Sequence, residues 1–184
     1  MYDSKGAKLA EGIDMLGSYG AVLNSVSRLS GVVPQISVIL GSCLGTSALN
    51  AASADFVIMS EKAELSLSVT GEESSADNVA QLGISHLTAK DTAQAIEMTK
   101  ELITLLPSNN LSVSPVMDAD EPATDVKCPI LKIVDADTFV ELKKEYGTEA
   151  VTGLGRIAGV VTGFVATKGG ILDSNACNKM ASFV

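Results

Sequence analysis

Apolar residues recur along the first half of the chain at two periods, and these periods predict alternating helices and strands. Spacings of three, four and seven positions predict a helix over 4–29 and another over 91–106, the latter opened by Asp91 and Gln94. Apolar runs at 35–40 and 55–59 are typical of strands buried on both faces, and 65–69 alternates like a half-buried strand. Shorter helices are predicted over 46–54 and 74–82. This alternation predicts an α/β fold.

The second half follows a change in composition. Residues 107–129 hold four of the five prolines among Ser, Asn, Asp and Glu, which is typical of a linker. Beyond it we predict a helix over 137–146, two strands within 150–167 that turn near Ala158 and Gly159, and a short helix from Asp173. The predicted organisation is therefore a module at 1–106, a linker at 107–129 and a module at 130–184.

Charge and composition exclude several function classes. The net charge of −9 and the lack of a Lys/Arg cluster disfavour nucleic acid and anionic membranes as partners. The three cysteines lie far apart without a CxxC pair and there is one histidine, so neither a disulfide framework nor a zinc site is predicted. We expect a cytoplasmic protein, because the polar N-terminus lacks signal-peptide character and no apolar run could span a bilayer.

The run Gly41-Ser-Cys-Leu-Gly-Thr46 lies between a predicted strand and a predicted helix, and three chemistries use such a turn. Phosphate binding is disfavoured, because the glycine spacing is wrong for a P-loop and no Lys is near. A nucleophile elbow would present Cys43, with His86 as base and Asp55 or Asp91 as orienting acid. The third is an oxyanion hole, in which free backbone N–H groups of the turn hold a developing negative oxygen such as a thioester enolate.

A second glycine-rich run, from Gly153 to Gly159, imitates a dinucleotide-binding fingerprint. The residues that follow it favour a strand instead of the helix that a pyrophosphate site requires, so a hairpin is the preferred interpretation. Arg156 then lies on a strand, where it either has a structural role, which we favour, or faces a ligand.

Several ordered runs resemble the carboxyltransferase subunits of biotin-dependent acyl-CoA carboxylases and decarboxylases. The resemblance extends over nearly the whole chain in the same order. The matching runs include Ala7–Ile13, Ser30–Gly41, Ala54–Met59, Thr70–Glu72, Gly83–His86, Leu105–Asn110, Ile133–Asp135, Arg156–Gly159 and Leu172–Phe183.

The resemblance implies a crotonase-like (ClpP/crotonase) α/β fold of two related truncated halves, with helices packed on small sheets. It implies carboxyl transfer between biotin and an acyl-CoA, with Gly45 and Thr46 as the backbone donors to the enolate. We expect Gly41, Ser42 and Cys43 to contact the substrate, and in the second module Gly155 and Arg156. Acyl-CoA and biotin on a carrier protein are the expected substrates, with no tightly bound cofactor and no metal.

Two departures from the family pattern shape the functional expectation. Family members have Gly-Pro-Cys-x-Gly-Gly at the first turn, whereas Ser42 and Thr46 replace the Pro and the last Gly here. Thr46 keeps its N–H but adds a β-branched side chain that would restrict close approach. Family chains are also much longer, and their second oxyanion turn and biotin pocket are expected beyond Phe183.

Three functional hypotheses follow. The first is a carboxyltransferase component whose site is completed by a partner, either a biotin carboxyl carrier or a full-length carboxyltransferase subunit. The second is a non-catalytic paralogue that assembles with itself or with such subunits, and the third and weaker one is a Cys43 hydrolase. Self-association is expected, because a shortened sheet leaves an edge that must be paired or covered.

Overall fold

A parallel sheet forms the centre of the first of two units, Met1–Lys100. The structure is a computed structural model, and it describes residues 1–68, 74–122 and 129–184. The strands of this sheet are β1 (Tyr2–Ser4), β2 (Ile36–Leu44), β3 (Phe56–Ser60), β4 (Glu64–Ser66) and β5 (Leu87–Ala89). Their order is β1-β2-β3-β5, and β4 pairs with the last residues of β2, beyond the part of β2 that pairs with β3.

Four helices accompany these strands along the chain. They are α1 (Ile13–Leu29), α2 (Thr46–Ala52), α3 (Ala76–Gln81) and α4 (Thr92–Leu105), which continues into the second unit. The predicted capping of α4 is confirmed: Asp91 Oδ1 accepts the Gln94 N–H at 2.8 Å, and Gln94 Oε1 accepts the Lys90 N–H at 2.8 Å. The two side chains therefore satisfy backbone donors that the first turn would leave unpaired.

The first predicted helix begins later than its apolar spacing indicated. Residues 2–4 form β1, which pairs with β2, and a 3₁₀ turn at Leu9–Glu11 precedes α1. Gly12 adopts φ 57° and ψ −132°, a conformation open to glycine, and α1 starts directly after it. The prediction of helix over 4–12 was therefore wrong, because sheet pairing and a glycine break interrupt the pattern.

Apolar residues on both faces of β2 and β3 form the core of the first unit. Val38, Ile39, Val57, Ile58 and Met59 are all buried, which confirms the prediction of strands covered on both sides. The small residues of α2 allow that helix to approach β2 closely, and Ala48 and Ala51 are buried in the same cluster.

The second unit, Glu101–Val184, is built around an antiparallel sheet. A 3₁₀ turn at Ile130–Lys132 leads to β6 (Val140–Leu142), β7 (Ala150–Ile157), β8 (Val160–Thr167) and helix α5 (Ser174–Phe183). The sheet order is β6-β7-β8. Its buried cluster is formed by Ile130, Val134, Val151 and Phe164.

The predicted hairpin is confirmed. β7 and β8 pair antiparallel from Ala150↔Thr167 to Ile157↔Val160, so the turn consists of Ala158 and Gly159. Both turn residues have positive φ, 50° and 78°, as the tightest hairpin turns require.

The helix predicted over 137–146 is absent, and this prediction was wrong. Residues Val140–Leu142 form β6, which pairs with β7. Asp137 and Lys143 bracket this strand with φ 57° and 52°, a left-handed conformation that does not continue a right-handed helix. The apolar positions in this segment thus serve a strand.

The module boundaries at 106 and 130 stay a prediction. Part of the predicted linker, 123–128, and the Thr70–Glu72 match lie outside the described residues. No helix within the described ranges combines the length and apolar character needed to cross a membrane.

Candidate functional site

The candidate site lies where β2 ends and α2 begins, at the carboxyl end of a parallel strand. Gly45 links the two elements with φ 63° and ψ −132°, a conformation that is essentially restricted to glycine. A Cβ built on Gly45 would meet no atom within 4 Å, so the space beside this residue is open. The fold therefore places an open backbone turn at the edge where ligands bind in open α/β sheets.

The N–H of Gly45 is already used within the fold. It donates to the carbonyl oxygen of Ser66 at 2.8 Å, which extends the β2–β4 pairing by one residue. The role of Gly45 as a donor to a substrate oxygen stays a prediction, and in this structure its N–H bonds Ser66 instead. The sequence carried no sign of this bond, because the pairing of β2 with β4 depends on the tertiary fold.

The N–H of Thr46 remains available. Thr46 is the first residue of α2, and the first N–H groups of a helix have no intrahelical acceptor. The Gly45 carbonyl oxygen accepts from Ala48 N at 3.0 Å, so the first turn is closed behind Thr46. In the described part of the chain no acceptor bonds the Thr46 N–H. The positive end of the α2 dipole adds to its attraction for an anionic oxygen.

The residues before Gly45 belong to the strand, so the predicted turn is shorter than 41–46. Ser42, Cys43 and Leu44 pair with β4 from Glu64 to Ser66. A methyl group built on Gly41 would overlap the carboxylate of Asp3, so this glycine allows an acidic side chain of β1 to lie against the strand. Sequence reasoning missed Asp3, because the pairing of β1 with β2 brings together residues far apart in the chain.

The side chains of Ser42 and Cys43 both make contacts within the fold. Ser42 Oγ donates to Glu64 Oε2 at 3.1 Å on the neighbouring strand. Cys43 is fully buried, and burial raises the pKa of its thiol to about 11. A buried neutral thiol packs as a small apolar side chain and does not attack at neutral pH.

The base proposed for Cys43 lies at the other end of the sheet. His86 Nδ1 accepts the Val57 N–H at 3.1 Å, and Val57 pairs with Ser37 on β2. Cys43 is six residues further along the same strand, a distance of about 20 Å at the usual rise per residue. The Cys43–His86 pair is therefore contradicted, and with it the hydrolase hypothesis.

Asp55 and Asp91, the two acids considered as orienting groups for His86, accept backbone hydrogen bonds elsewhere in the fold. Asp55 Oδ2 accepts the Gln35 N–H at 2.8 Å, and Asp91 caps α4. In the described residues no group of three or more His, Cys, Asp or Glu is arranged to hold a metal ion.

Arg156 in the second unit is buried, with 3% of its surface exposed. Its guanidinium donates to the carbonyl oxygens of Thr104 at 2.7 Å, Gly159 at 2.8 Å and Pro115 at 2.5 Å. These bonds tie three segments together and support the structural role favoured above. The acceptors are neutral carbonyls rather than the acid that an ion pair would need.

Gly155 is also enclosed. A Cβ at this position would come within 3.3 to 3.4 Å of Val134, Phe139 and Phe164. A nearby cavity of about 110 Å³, lined by Arg156, Thr138 and Asp137 among others, is well below the roughly 300 Å³ of a small-molecule pocket. The substrate contacts predicted at Gly155 and Arg156 therefore have no support in the geometry of this unit.

Asp135 is a buried acid that binds the turn of the hairpin, and the sequence carried no indication of this role. Asp135 is 3% exposed, and its carboxylate accepts the N–H groups of Ala158 at 2.9 Å and Gly159 at 2.7 Å. Both charged side chains thus bond the same residue, because Arg156 binds the Gly159 carbonyl. Asp135 occurs in one of the matching family runs, but no spacing rule connects it with a turn so far along the chain.

Comparison with known proteins places this geometry in a family. The sequence profile of the carboxyl transferase domain matches residues 1–184. The methylmalonyl-CoA carboxyltransferase 12S subunit of Propionibacterium freudenreichii is 37% identical in an alignment of 218 positions. This alignment covers 100% of this chain and 42% of that protein. The propionyl-CoA carboxylase beta chain of Saccharopolyspora erythraea is 31% identical, over 99% of this chain and 42% of the relative.

Solved structures agree with these sequence matches. The crystal structure of a transcarboxylase 12S hexamer with methylmalonyl-CoA and methylmalonic acid bound matches with a TM-score of 0.89 and 33% identity. The match covers 99% of this chain and 42% of the 12S chain. The predicted crotonase-like α/β fold and the family resemblance are confirmed, and the chain spans less than half the length of the relatives it matches.

Proposed function

Because the chain belongs to the carboxyl transferase family, we propose that it is an acyl-CoA carboxyltransferase component whose site is completed by another chain. The reaction class is carboxyl transfer between biotin and the α-carbon of an acyl-CoA. Its relatives act on methylmalonyl-CoA or propionyl-CoA, so a short-chain acyl-CoA is the proposed substrate. Cytoplasmic location is part of the same proposal.

One observation carries the proposal: the Thr46 N–H stands without an acceptor in the described chain, beside the open turn at Gly45. Removal of the α-proton of an acyl-CoA places negative charge on the thioester oxygen. A fixed N–H donor at a helix start stabilises that charge, and such a donor contributes about 10²–10³-fold to catalysis in known oxyanion holes.

The proposed partners follow from the chain's share of its relatives. The chain covers 42% of the 12S subunit, so the groups that would receive biotin are proposed to come from a full-length carboxyltransferase subunit. Biotin itself would arrive on a carrier protein. We propose no tightly bound cofactor, because both biotin and acyl-CoA act as substrates in this scheme.

The test is carboxyl transfer to propionyl-CoA by the chain together with a full-length family subunit made inactive in its own first oxyanion turn. Thr46→Pro removes the backbone N–H at a helix position that accepts proline, while Thr46→Val keeps the N–H and the branched shape. The proposal expects activity for the wild type and Thr46→Val and a loss of about 10²-fold or more for Thr46→Pro. Equal rates for Thr46→Pro and Thr46→Val would contradict it.

A second candidate function is assembly without catalysis, and the Gly45–Ser66 bond favours it because that bond removes one expected donor. A non-catalytic chain would join a carboxyltransferase assembly without holding a thioester. Titration of the chain with propionyl-CoA separates the two functions. Saturable binding that requires the acyl group supports the catalytic component, and absence of binding both alone and in the assembly supports the second candidate.

A further inference from the structure

Lys179 of helix α5 is a charged residue inside the second unit, with 1% of its surface exposed. Its Nζ donates to the carbonyl oxygen of Ala150, the first residue of β7, at 2.9 Å. An ammonium group carries three N–H donors, and taking its charge out of water is costly unless an opposite charge compensates it. Further chain or another subunit packed on this unit could only add to the burial. The fold therefore contains a cation for which one carbonyl oxygen is weak compensation.

The packing of α5 holds Lys179 in this position. Ala176 and Lys179, three residues apart, are both buried and lie on one side of the helix. A Cβ built on Gly147 would come within 2.8 Å of Ala176 Cα, so the helix backbone lies directly against the turn before β7. A ring carbon of Phe183, one turn further along, would lie 3.3 Å from a Cβ built on Gly163 of β8. Contacts on either side of Lys179 thus fix the helix, and exposure of the ammonium would require α5 to move.

A carboxylate oxygen without a hydrogen-bond partner lies on β6, the strand beside β7. Glu141 Oε1 is buried and accepts no hydrogen bond in the described chain. Burial lowers the pKa of Lys179 below its ordinary value of 10.5, and the negative charge of Glu141 is the largest influence that opposes this lowering. The other charged groups that face the ammonium are Glu145, Lys143 and Lys168; the glutamate supports its charge and the two lysines oppose it. Two poorly compensated groups of opposite charge therefore face each other inside this unit.

We propose that Glu141 is the counter-ion of the buried Lys179 ammonium, and that this charge pair is a pH-sensitive latch that holds α5 on the second sheet. Among the described residues the two groups do not come within the 4.0 Å of a direct ion pair, so the interaction acts across the protein interior, where charges are weakly screened. Removing one charge would leave the other buried without compensation, which is strongly destabilising, whereas removing both restores a neutral interior.

The latch responds to pH with a defined sign. In the unfolded chain Lys179 titrates near the ordinary value of 10.5, and docking of α5 lowers this pKa because the ammonium becomes buried. Protonation therefore opposes docking, and α5 is held more firmly as pH rises through the lowered pKa towards 10.5. Loss of the Glu141 charge would lower the pKa of Lys179 further and move this change to more acidic pH.

The first test is the pKa of Lys179 in the full chain, measured from the ¹³Cε and ¹⁵Nζ resonances of labelled lysine. The wild type is expected to titrate below 10.5, and Glu141→Gln is expected to titrate lower still by about one pH unit. Glu145→Gln is the matched control, because it removes the same charge from an exposed residue that faces the same ammonium. A wild-type pKa of 10.5 or above, or an equal lowering by Glu141→Gln and Glu145→Gln, would contradict the proposal.

A double-mutant cycle tests whether the two charges act together on α5. Lys179→Met and Glu141→Gln are each expected to speed hydrogen exchange of peptides from 174–183 by about tenfold or more at about pH 6. The double variant is expected to exchange no faster than the worse single variant, and to fold even where a single variant does not. Single variants that exchange like the wild type, or effects that multiply to about hundredfold in the double variant, would overturn the proposal.

Discussion

Replacing Asp135 by Asn tests whether a buried carboxylate holds the β7–β8 hairpin in place. The carboxylate accepts two backbone N–H groups of the turn, from Ala158 and Gly159, and only 3% of the residue is exposed. Asn has the same shape but offers one oxygen and one NH₂ group. One turn N–H would keep an acceptor, and the other would face a donor.

The expected loss follows from these two contacts. A hydrogen bond to a charged group contributes about 1.5–3 kcal/mol, and a buried donor left unpaired costs about 1–3 kcal/mol. We expect a loss of about 3 kcal/mol, in the lower part of the summed range, because the neighbouring backbone can relax. This corresponds to a roughly 150-fold larger equilibrium constant for opening of the hairpin, and therefore to faster hydrogen exchange.

Hydrogen exchange read by mass spectrometry on peptides from 150–167 measures this opening within the second unit. Asp137→Asn is the matched control, because Asp137 is exposed in the same segment and Asn tolerates its left-handed backbone conformation. The control is expected to change stability by less than about 0.5 kcal/mol. Acceleration below about fivefold for Asp135→Asn would refute the role assigned to this carboxylate.

Three further predictions concern local chemistry. Ala158→Gly should stabilise the hairpin by about 0.5–1 kcal/mol in thermal unfolding, because Ala158 has φ 50°, which glycine adopts more readily. Ala158→Val should destabilise the hairpin for the same reason, and a valine variant more stable than the glycine variant would be inconsistent with the turn. Burial raises the pKa of Cys43 from 9.0 to about 11, so the folded protein favours the neutral thiol over the thiolate. The contribution of this pKa shift to folding stability is therefore complete below pH 9.0 and is lost as pH rises through about 11. Urea midpoints should therefore fall less steeply over this interval in Cys43→Ala, and identical slopes would count against burial of the thiol. Asp91→Ala should lose about 1 kcal/mol of protection in the first turn of α4, whereas Glu97→Ala at an exposed pair should not, as hydrogen exchange would show.

The strands and helices with strong local patterns were predictable, as β2, β3 and α4 illustrate. Their apolar runs, or the capping residues Asp91 and Gln94, act over a few neighbouring positions. The segment 137–146 failed, because its apolar spacing suits a helix while Asp137 and Lys143 adopt left-handed backbone conformations that depend on the surrounding fold.

The candidate site was predictable only in part for the same reason. Gly45 could be placed at a strand–helix turn from its neighbours alone, but the Ser66 carbonyl that binds its N–H belongs to β4. Burial of Cys43 and the position of His86 at the other end of the sheet likewise arise from strand pairing. The roles of Asp3 and Asp135 could not be derived, because each acts on a glycine distant in the chain.

The most direct test of the central claim is the amide resonance of Thr46 in ¹⁵N-threonine-labelled protein, followed while propionyl-CoA is added to the chain in its assembly. If the Thr46 N–H holds the thioester oxygen, its proton resonance shifts in a saturable way with propionyl-CoA and stays in place with CoA that lacks the acyl group. A Thr46 resonance that remains unmoved while propionyl-CoA binds elsewhere on the assembly would contradict the account.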